Sequence, residues 1–336
     1  MRALITGGGG FLGRYIVKQL LEKDIDVRIL CRSTQDDLVN QGVEVVQGDI
    51  LHAGCVETAS RDCDVVFHVA AKAGVWGREI DYFNANVVGT RNVFNACHVN
   101  GIKYLVHTST PSVVFSGKAI SGEDEEMPYG ENWLCAYAKT KAQAEKEVLA
   151  ENGRNGLKVI AIRPHLIWGV GDPHLFPRVI ERGKLGKLKI VGEGQNKVDI
   201  SHVENVAFAH ILAMEALMKD HAGGKAYFIS QDDPVVLWDW LNQLLQRLEI
   251  KKVERRISFK AAYLVGAIFE FIYKLLNKKE EPLMTRFVAT ELAKDHYFNI
   301  SSAKKDLGYY LKVSTEEGLN EWVRDFEKTN SLQPNT

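Results

Sequence analysis

The sequence has almost no net charge, because 42 lysines and arginines face 43 aspartates and glutamates. A chain without a basic excess has no long-range attraction to phosphate backbones, so we expect no nucleic-acid partner. Cysteine is also scarce, with 5 residues and no C-x-x-C spacing. This number and spacing predict reduced thiols, and they argue against a disulfide framework or a cysteine-based zinc site.

A leader peptide and internal repeats are missing as well. A strand pattern starts at residue 2, which predicts that there is no signal peptide and that the protein is cytoplasmic. The composition, with 46% hydrophobic and 25% charged residues, is typical of a globular chain. A length of 336 residues is enough for one large domain or two moderate ones.

Apolar runs and helical patterns alternate through the first half of the chain. The runs are RALIT, VRILC, VEVVQ, VVFHV, YLVHT and VIAIRP. Parallel strands that are covered on both faces have such continuous apolar patterns, and the helical segments between them provide right-handed crossovers. The alternation therefore predicts an α/β fold with a Rossmann-like, doubly wound parallel sheet.

The second half of the chain departs from this alternation. Prolines and glycines cluster beyond residue 163, and only KAYFISQ has the pattern of a further strand. We predict a Rossmann domain formed by residues 1–165 and 199–230. A smaller, mostly helical substrate domain would comprise residues 166–198 and 231–330. The last residues, NSLQPNT, are expected to fray.

A glycine-rich turn directly follows the first predicted strand. In TGGGGFLG, the spacing Gly7-x-x-Gly10-x-x-Gly13 leaves one turn without side chains at the start of a helix. The backbone can then approach a pyrophosphate, which binds the free N–H groups and the positive end of the helix dipole. Because strand, turn and helix occur in the required order, we predict a dinucleotide site rather than a purely structural turn.

The end of the second predicted strand indicates which dinucleotide binds. A carboxylate at this position would bind the ribose 2′-hydroxyl of NAD, but the chain has Cys31-Arg32-Ser33 instead. Arg32 could pair with a 2′-phosphate, and Ser33 could add a hydrogen bond. We therefore favour NADP(H) over NAD(H). The alternative is that Arg32 is a solvent-exposed residue without a ligand.

A tyrosine and a lysine lie four residues apart in AYAKTKAQAEKEVL, a segment rich in helix-forming residues. Tyr137 and Lys141 therefore share one helix face. Such a pair can be a catalytic acid beside the cation that tunes it, or simply two solvated side chains. The pair alone does not decide, because about one Tyr-x-x-x-Lys is expected by chance in a chain of this composition.

Five motifs follow one another along the chain: TGGGGFLG, GDI at 48–50, HVAA at 68–71, NVVGTRNV at 86–93 and the Tyr137–Lys141 pair. Together they resemble the extended short-chain dehydrogenase/reductases of the NAD-dependent epimerase/dehydratase superfamily. Four further segments are AKAGVWG, TPSVVFSG, IRPHLIWGVGDPHL and ISHVENVAFAHILA. These look like the 3β-hydroxysteroid dehydrogenase-like branch, and most like bacterial 2-alkyl-3-oxoalkanoate reductases of olefin biosynthesis.

The resemblance implies a catalytic set. Tyr137 would supply a proton to the substrate oxygen, and Lys141 would lower the tyrosine pKa and hold the nicotinamide ribose. The third member is a Ser or Thr after the fifth strand, here Thr110, with Ser112 as the runner-up. Related dehydratases have two acidic residues where this chain has Pro111 and Ser112, which argues against dehydration.

The same resemblance implies the cofactor contacts. Asp49 would touch the adenine, the alanines of HVAA would line the cofactor, and Asn86 would support the site through its backbone. The predicted cofactor-binding residues are Gly7, Gly10, Phe11, Leu12, Gly13, Arg32, Asp49, Ile50, Ala70, Ala71, Lys72, Asn86, Thr108, Tyr137, Lys141, Pro164 and Leu166.

The predicted reaction interconverts a 3-oxo and a 3-hydroxy group on a small lipid-like substrate, and the favoured form is reduction of a 2-alkyl-3-oxoalkanoate. A 3β-hydroxysteroid or sterol-4-carboxylate 3-dehydrogenase is the first alternative. A nucleotide-sugar epimerase or reductase is disfavoured, because Val198 stands where such enzymes usually have an arginine before Asp199. A non-catalytic NADP-binding regulator is disfavoured, because both Tyr137 and Lys141 are present.

Three histidines raise the question of a metal site. His165, His174 and His202 do not have the spacing of metal ligands, and the family uses none, so we predict no metal. His165 and Trp168 follow the strand that ends in Arg163-Pro164, and we predict that they line the substrate site. The alternative is that both are packing residues.

One long apolar segment, ISFKAAYLVGAIFEFIYKLL at 257–276, stands out near the C-terminus. Three charged residues interrupt it, which argues against a membrane span. A lid over an apolar pocket, a helix lying on a membrane, a docking face for a partner enzyme and a core helix all remain open. We also expect a homodimer through helices around 83–99 and 136–150, as is typical of the family.

Overall fold

The computed structural model describes residues 1–331, so most of the C-terminal segment expected to fray lies outside the described residues. In chain order the strands are β1 (Arg2–Thr6), β2 (Asp26–Cys31), β3 (Glu44–Gln47), β4 (Val65–His68), β5 (Tyr104–Thr108), β6 (Ile120–Glu123), β7 (Lys158–Pro164), β8 (Ile167–Trp168), β9 (Ile190–Val191), β10 (Lys197–Val198), β11 (Ser201–His202), β12 (Lys225–Ile229), β13 (Val235–Val236), β14 (Arg256–Ile257) and β15 (His296–Phe298).

The α-helices are α1 (Phe11–Leu21), α2 (Asp36–Val39), α3 (Ala53–Ser60), α4 (Glu79–Phe83), α5 (Gly89–Asn100), α6 (Ala136–Ala150), α7 (Leu175–Lys184), α8 (Val203–Met218), α9 (Leu237–Arg247), α10 (Phe259–Leu275), α11 (Arg286–Glu291) and α12 (Thr315–Ser331). Two π-helical segments, Asn84–Val88 and Ala303–Leu307, and short 3₁₀ turns complete the secondary structure of the described residues.

A seven-stranded parallel sheet, in the order β12-β7-β5-β4-β1-β2-β3, confirms the predicted fold class. Strand β1 lies between β2 and β4, so the chain reverses its direction of winding beside β1. In doubly wound sheets the ligand crevice opens at this point, outside the carboxyl ends of the strands. The glycine turn and the carboxyl ends of β4 and β5 therefore lie together at this crevice.

The apolar strand pattern reflects burial of both faces of this sheet. Ile5 and Phe67 pack in one hydrophobic cluster, with residues of α1 and α8. Their chain neighbours Leu4 and Val66 pack in a second cluster on the opposite face, with residues of α3 and α5. Since neighbouring strand residues point to opposite faces, a strand that is covered on both sides contains no polar alternation.

A smaller, mostly helical unit carries a second sheet, in the order β13-β10-β15-β6. Its core is strongly aromatic, with Trp168, Phe176, Trp240 and Trp322 in contact with one another. Strand β6 pairs with β15 in this sheet, although it lies inside the first predicted domain segment. The domain boundaries stay predictions, but the chain already enters the smaller sheet between β5 and α6.

Helix α10 accounts for most of the long apolar segment. Ser258 caps its start, and its Oγ accepts a hydrogen bond from the N–H of Ala261 at 3.3 Å. One face packs against α11, and a Cβ on Gly266 would lie 2.6 Å from the carbonyl carbon of Thr285. The core alternative therefore describes only one face of this helix. Within residues 1–331, no helix combines the length and apolar character needed to cross a membrane.

Candidate active site

The glycine turn joins β1 to α1 in a conformation that requires small residues. Gly7 has φ +73°, and a Cβ there would lie 2.9 Å from the backbone nitrogen of Ala70. A Cβ on Gly13 would overlap the carbonyl oxygen of Gly7. Helix α1 begins at Phe11 without a side-chain cap, so its first N–H groups are available to a pyrophosphate. The turn therefore fits a dinucleotide, and it lies against Ala70, one of the two alanines predicted to line the cofactor.

A basic corner lies beside this turn. Arg32 is exposed at the end of β2 and forms no ion pair with any described residue. The sequence interpretation missed Arg14, which forms an ion pair with Asp37 and hydrogen-bonds to the carbonyl oxygen of Gly9. A carboxylate is therefore present near the corner, but the Arg14 guanidinium neutralises it and holds the pKa of Asp37 below its usual range.

The predicted adenine-side residues have well-defined surroundings. The Oδ1 of Asp49 accepts a hydrogen bond from the N–H of Leu51 at 3.0 Å. The carbonyl oxygen of Ile50 accepts one from the side chain of Asn92. The side chain of Leu12 is buried in the core, so only its backbone could contact a cofactor.

Tyr137 lies in the first turn of α6, because the chain is extended at Cys135 and becomes helical at Ala136. Its phenol interacts with Thr110, the residue that precedes the 3₁₀ turn after β5, and Oγ1 of Thr110 lies 3.3 Å from Oγ of Ser112. Burial raises the pKa of Tyr137 to about 12, and the interaction with Thr110 opposes this shift. The structure thus brings the predicted proton donor and the predicted oxygen-binding hydroxyl together.

The side chain of Lys141 contacts the end of β5. Its Nζ donates to the carbonyl oxygen of Thr108 at 2.6 Å and lies 3.3 Å from Nε2 of His107. Burial lowers the pKa of Lys141 to about 8, because an ammonium loses hydration there. The expected lowering of the Tyr137 pKa by Lys141 is not found, since the lysine reaches the strand end rather than the phenol and burial of the phenol dominates.

A pH dependence follows from this lysine. Reduction needs Tyr137 protonated and Lys141 charged, and only the lysine changes charge near pH 8. We expect kcat/KM for reduction to fall above about pH 8. In Lys141→Arg, which stays charged, the rate should be lower but this alkaline inflection should be absent. Initial rates from pH 6 to 10 test this, and an unchanged inflection in the arginine variant would assign it to another group.

A buried histidine network, which the sequence interpretation also missed, lies beneath the site. His68 is the last residue of β4, and it is paired with His107, the last residue but one of β5. The Nδ1 of His68 is 2.7 Å from Oγ1 of Thr6, and its Nε2 is 2.9 Å from Oγ1 of Thr90. Burial lowers the pKa of His68 to about 3, so the ring is neutral. The shared ending of VVFH and YLVH was the available signal.

Asn86 connects the loop after β4 to α6, the catalytic helix that carries Tyr137 and Lys141. Its Oδ1 accepts from the N–H of Lys72 at 2.7 Å, and its Nδ2 donates to the Lys72 carbonyl oxygen and to Oγ1 of Thr140. The residue lies in the π-helical segment Asn84–Val88, a form often found at functional sites. The side chain thus has a positioning role beside the backbone role that was predicted.

A buried ion pair fixes α6 against the main sheet. Glu145 of α6 accepts hydrogen bonds from Nε and Nη2 of Arg163, which lies near the end of β7. Both side chains are almost fully buried, with 0% and 4% of their surface exposed. The hydroxyl of Tyr129 also donates to Glu145 at 2.8 Å. This pair sets the height of the catalytic helix relative to the strand ends.

The segment after β7 corrects one prediction. Trp168 is completely buried in the aromatic core of the smaller unit, so its predicted place in the substrate site is wrong. His165 is also buried, and its Nε2 lies 2.5 Å from Nδ1 of His296. Leu166, which directly follows His165, has φ +37°, a left-handed conformation that leucine rarely adopts. Such strain often marks a functional segment, and Leu166 is a predicted cofactor contact.

One group of side chains among the described residues could hold a metal ion, namely His165, Glu291 and His296. The Nε2 of His296 lies 2.7 Å from the carbonyl oxygen of Glu291, while its Nδ1 faces His165. The two rings are therefore hydrogen-bonded without an ion. That the protein uses no metal stays a prediction.

A large cavity opens beside the start of α6. It has a volume of about 1210 Å³, enough for a drug-sized or acyl-chain ligand. Its walls are the loop from Lys72 to Glu79, the segment 131–136 and the inner side of α10 with Arg286. The cavity therefore lies between the loop after β4, the start of α6 and α10, and its lining residues Cys135 and Ala136 directly precede Tyr137.

The doubly wound sheet, the glycine turn and the Tyr137–Lys141–Thr110 set define the class of nicotinamide-dependent short-chain dehydrogenases and reductases. Residues 4–261 match the model of the 3-beta hydroxysteroid dehydrogenase/isomerase family, and the chain belongs to that family.

Curated relatives match along nearly the whole chain. The 2-alkyl-3-oxoalkanoate reductase of Shewanella oneidensis is 48% identical over 325 residues, which are 94% of this chain and 84% of that protein. The enzyme of the same name from Stenotrophomonas maltophilia is 45% identical, with 95% and 97% covered. A mouse sterol-4-alpha-carboxylate 3-dehydrogenase (decarboxylating) is 32% identical, with 97% and 91% covered.

Solved structures show the same fold at low identity. The dTDP-glucose 4,6-dehydratase DesIV of Streptomyces venezuelae, solved as a double mutant with NAD bound, is 24% identical with a TM-score of 0.76 and 99% and 98% coverage. A UDP-glucose 4-epimerase of Thermotoga maritima is 21% identical with a TM-score of 0.75, and 98% of this chain and 100% of that chain are covered.

Proposed function

We propose that the protein reduces the 3-oxo group of a 2-alkyl-3-oxoalkanoate, with NADPH as the preferred cofactor. The observation that carries this proposal is that Tyr137 interacts with Thr110 and directly follows Ala136, which lines a cavity of about 1210 Å³. Two relatives at 45–48% identity over most of their length have the same name, 2-alkyl-3-oxoalkanoate reductase, which supports this substrate class.

The residues of the site supply the proton and the orientation for this reaction. A bound reduced nicotinamide would supply a hydride to the carbonyl carbon. Thr110 holds the carbonyl oxygen, and Tyr137 transfers its phenolic proton to that oxygen as the alcohol forms. A tyrosine pKa of about 12 keeps this proton in place at neutral pH. Lys141, whose Nζ is held at the carbonyl oxygen of Thr108, would serve through its second predicted role, holding the nicotinamide ribose.

The experiment that tests this proposal compares substrates on the full chain. NADPH oxidation is followed with a 2-alkyl-3-oxoalkanoate, a 3-ketosteroid and a UDP-sugar, and the reverse reaction with a sterol-4-carboxylate. We expect turnover of the β-keto acid at a kcat/KM at least tenfold above any other. A higher value for the sterol-4-carboxylate would favour the second candidate function, which the 32% identical mouse relative suggests.

The charges around the cavity fit a substrate with a carboxylate. Arg78, Lys139 and Arg286 are each neutralised by an acidic partner. Lys72 forms no ion pair with a described residue, and its ammonium lies over the Tyr82 ring, 5.1 Å from the centroid. Lys274, Lys278 and Lys279 also line the cavity without an ion pair to a described residue. Lys72 differs from them because Asn86 ties its backbone to α6, so we assign Lys72 to the substrate carboxylate. Its side chain would serve the substrate, and its backbone is the part that Asn86 positions.

Replacing Lys72 by methionine is expected to raise KM for the β-keto acid about tenfold, because a charge-assisted hydrogen bond is lost. The NADPH dissociation constant and kcat should change little. Lys103→Met is the matched control, because Lys103 is exposed and directly precedes β5, at the amino ends of the strands. A KM that stays normal while NADPH binding weakens would return Lys72 to the cofactor.

The NADP preference rests on Arg32. We expect Arg32→Ala to weaken NADPH binding by about 10–100-fold and to leave NADH binding unchanged, because only NADPH carries the 2′-phosphate. Arg61→Ala is the matched control, since Arg61 is exposed just before β4, at the amino ends of the strands. Fluorescence titration measures both cofactors. Equal losses for NADPH and NADH would contradict the assignment.

The homodimer through the helices around 83–99 and 136–150 stays a prediction. The lipid-like character of the substrate is likewise part of the proposal, and it raises the question of how such a molecule reaches the cavity.

A further inference from the structure

The outer face of α10 is the largest grouping of exposed apolar side chains in the described part of the chain. Of the 17 large hydrophobic side chains that are exposed there, eight fall within residues 264–283. Leu264, Ile268, Phe271 and Leu275 follow one another at three- and four-residue steps, so they form one stripe along the helix. Phe271 and Leu275 are 69% and 73% exposed.

This face is held outward by the packing of the opposite face. Ala262, Gly266 and Glu270 are buried toward α11. Glu270 accepts hydrogen bonds from the backbone N–H of Arg286 at 2.7 Å and from its Nε at 2.8 Å. The close approach at Gly266 leaves no room for the helix to turn over. The apolar stripe therefore cannot enter the core while the rest of the fold is intact.

The charges around the stripe are mainly basic, although Glu254, Glu280 and Glu281 lie at its two ends. Exposed lysines accompany it at positions 260, 274, 278 and 279, and Arg255 and Arg256 precede it. The one acidic residue between 257 and 279 is Glu270, which is buried and neutralised by Arg286. An apolar stripe with a basic border matches the interface of an anionic bilayer, where acyl chains lie below phosphate groups.

The same helix forms part of the cavity wall. Tyr273 of α10 and Asn277, just beyond the end of the helix, line the cavity. Trp76 from the opposite rim contacts the Tyr273 ring at 6.0 Å, and its Nε1 donates to the carbonyl oxygen of Lys278 at 3.2 Å. The rim of the cavity and the apolar stripe thus belong to one continuous surface.

We propose that α10 lies in the interfacial layer of an anionic membrane, with its stripe among the acyl chains and the cavity rim at the headgroups. The helix is too short to span a bilayer, which needs about 20 residues. If the proposed function holds, a substrate with a long acyl chain can enter the cavity from the lipid without crossing water.

Flotation of the full chain with vesicles tests this proposal. The wild-type protein should float with vesicles of phosphatidylcholine and phosphatidylglycerol, less with phosphatidylcholine alone, and less at high salt. The double variant Phe271→Ser/Leu275→Ser should lose binding about tenfold or more. Val39→Ser/Leu185→Ser, at exposed apolar positions elsewhere, is the control that should bind normally.

Three outcomes would overturn the proposal. They are failure of the wild-type protein to bind anionic vesicles, equal binding by the α10 double variant, and a change from dimer to monomer in that variant by light scattering. The last would mean that a second copy covers the stripe. Because flotation needs no turnover, failure of the reductase assay leaves this result unaffected, and turnover of a short-chain β-keto acid should be normal in the double variant.

Discussion

Replacing Tyr137 by phenylalanine is expected to lower kcat for ketone reduction by about 10²–10⁴-fold, with unchanged NADPH affinity. The substitution removes one oxygen atom and leaves the ring that fills the start of α6. Thr110 can still orient the substrate oxygen, but its aliphatic hydroxyl is too weak an acid to transfer a proton as the hydride arrives. The remaining rate would reflect proton transfer from water.

The measurement is a steady-state assay beside a fluorescence titration of NADPH. Tyr310→Phe is a suitable control, because Tyr310 is 59% exposed in the smaller unit. Thr110→Val should give an intermediate loss, since it removes the hydrogen bond that orients the carbonyl but not the proton donor. A Tyr137→Phe enzyme within threefold of the wild-type kcat would rule out Tyr137 as the acid.

Replacing Glu145 by alanine should have the largest effect on stability. The Arg163 guanidinium would stay buried without its counter-charge, and loss of one partner from such a pair typically costs about 3–5 kcal/mol. Urea unfolding followed by circular dichroism measures the change. The double variant Glu145→Leu/Arg163→Met should recover most of this loss, because it removes the stranded charge. A loss below about 1 kcal/mol for Glu145→Ala would contradict the buried-pair argument.

A kinetic readout separates this role from simple instability. The negative charge of Glu145 raises the pKa of Lys141, one helical turn away, against the larger effect of burial. Without that charge the lysine pKa falls further. The alkaline inflection in kcat/KM should therefore move below pH 8 in Glu145→Leu/Arg163→Met, provided that variant folds. A purely structural pair would leave the inflection in place.

Most of the fold could be predicted because its signals are local. Continuous apolar runs identify parallel strands covered on both sides, and TGGGGFLG occurs where a strand gives way to a helix. The pairing of Tyr137 with Lys141 on one face follows from helix geometry alone. These features need no knowledge of which distant segments meet.

The parts that could not be predicted depend on contacts between distant segments. Lys141 bonds to the end of β5, and that choice depends on the height of α6 above the sheet, which Glu145 and Arg163 set. Trp168 follows a strand of the main sheet, yet it packs with Trp240 and Trp322 from segments far along the chain. Proximity to Pro164 in sequence does not determine to which side of the cleft a side chain turns.

The pairing of β6 with β15 has a consequence for synthesis on the ribosome. The main sheet has all of its strands once residue 229 has emerged, so it can close while the chain is still growing. Strand β6 must wait for a partner made more than 170 residues later, because β15 spans residues 296–298. A growing chain can therefore complete the main sheet before the smaller sheet has all of its strands. The part of the cavity wall formed by α10 and Arg286 is synthesised after every strand of the main sheet.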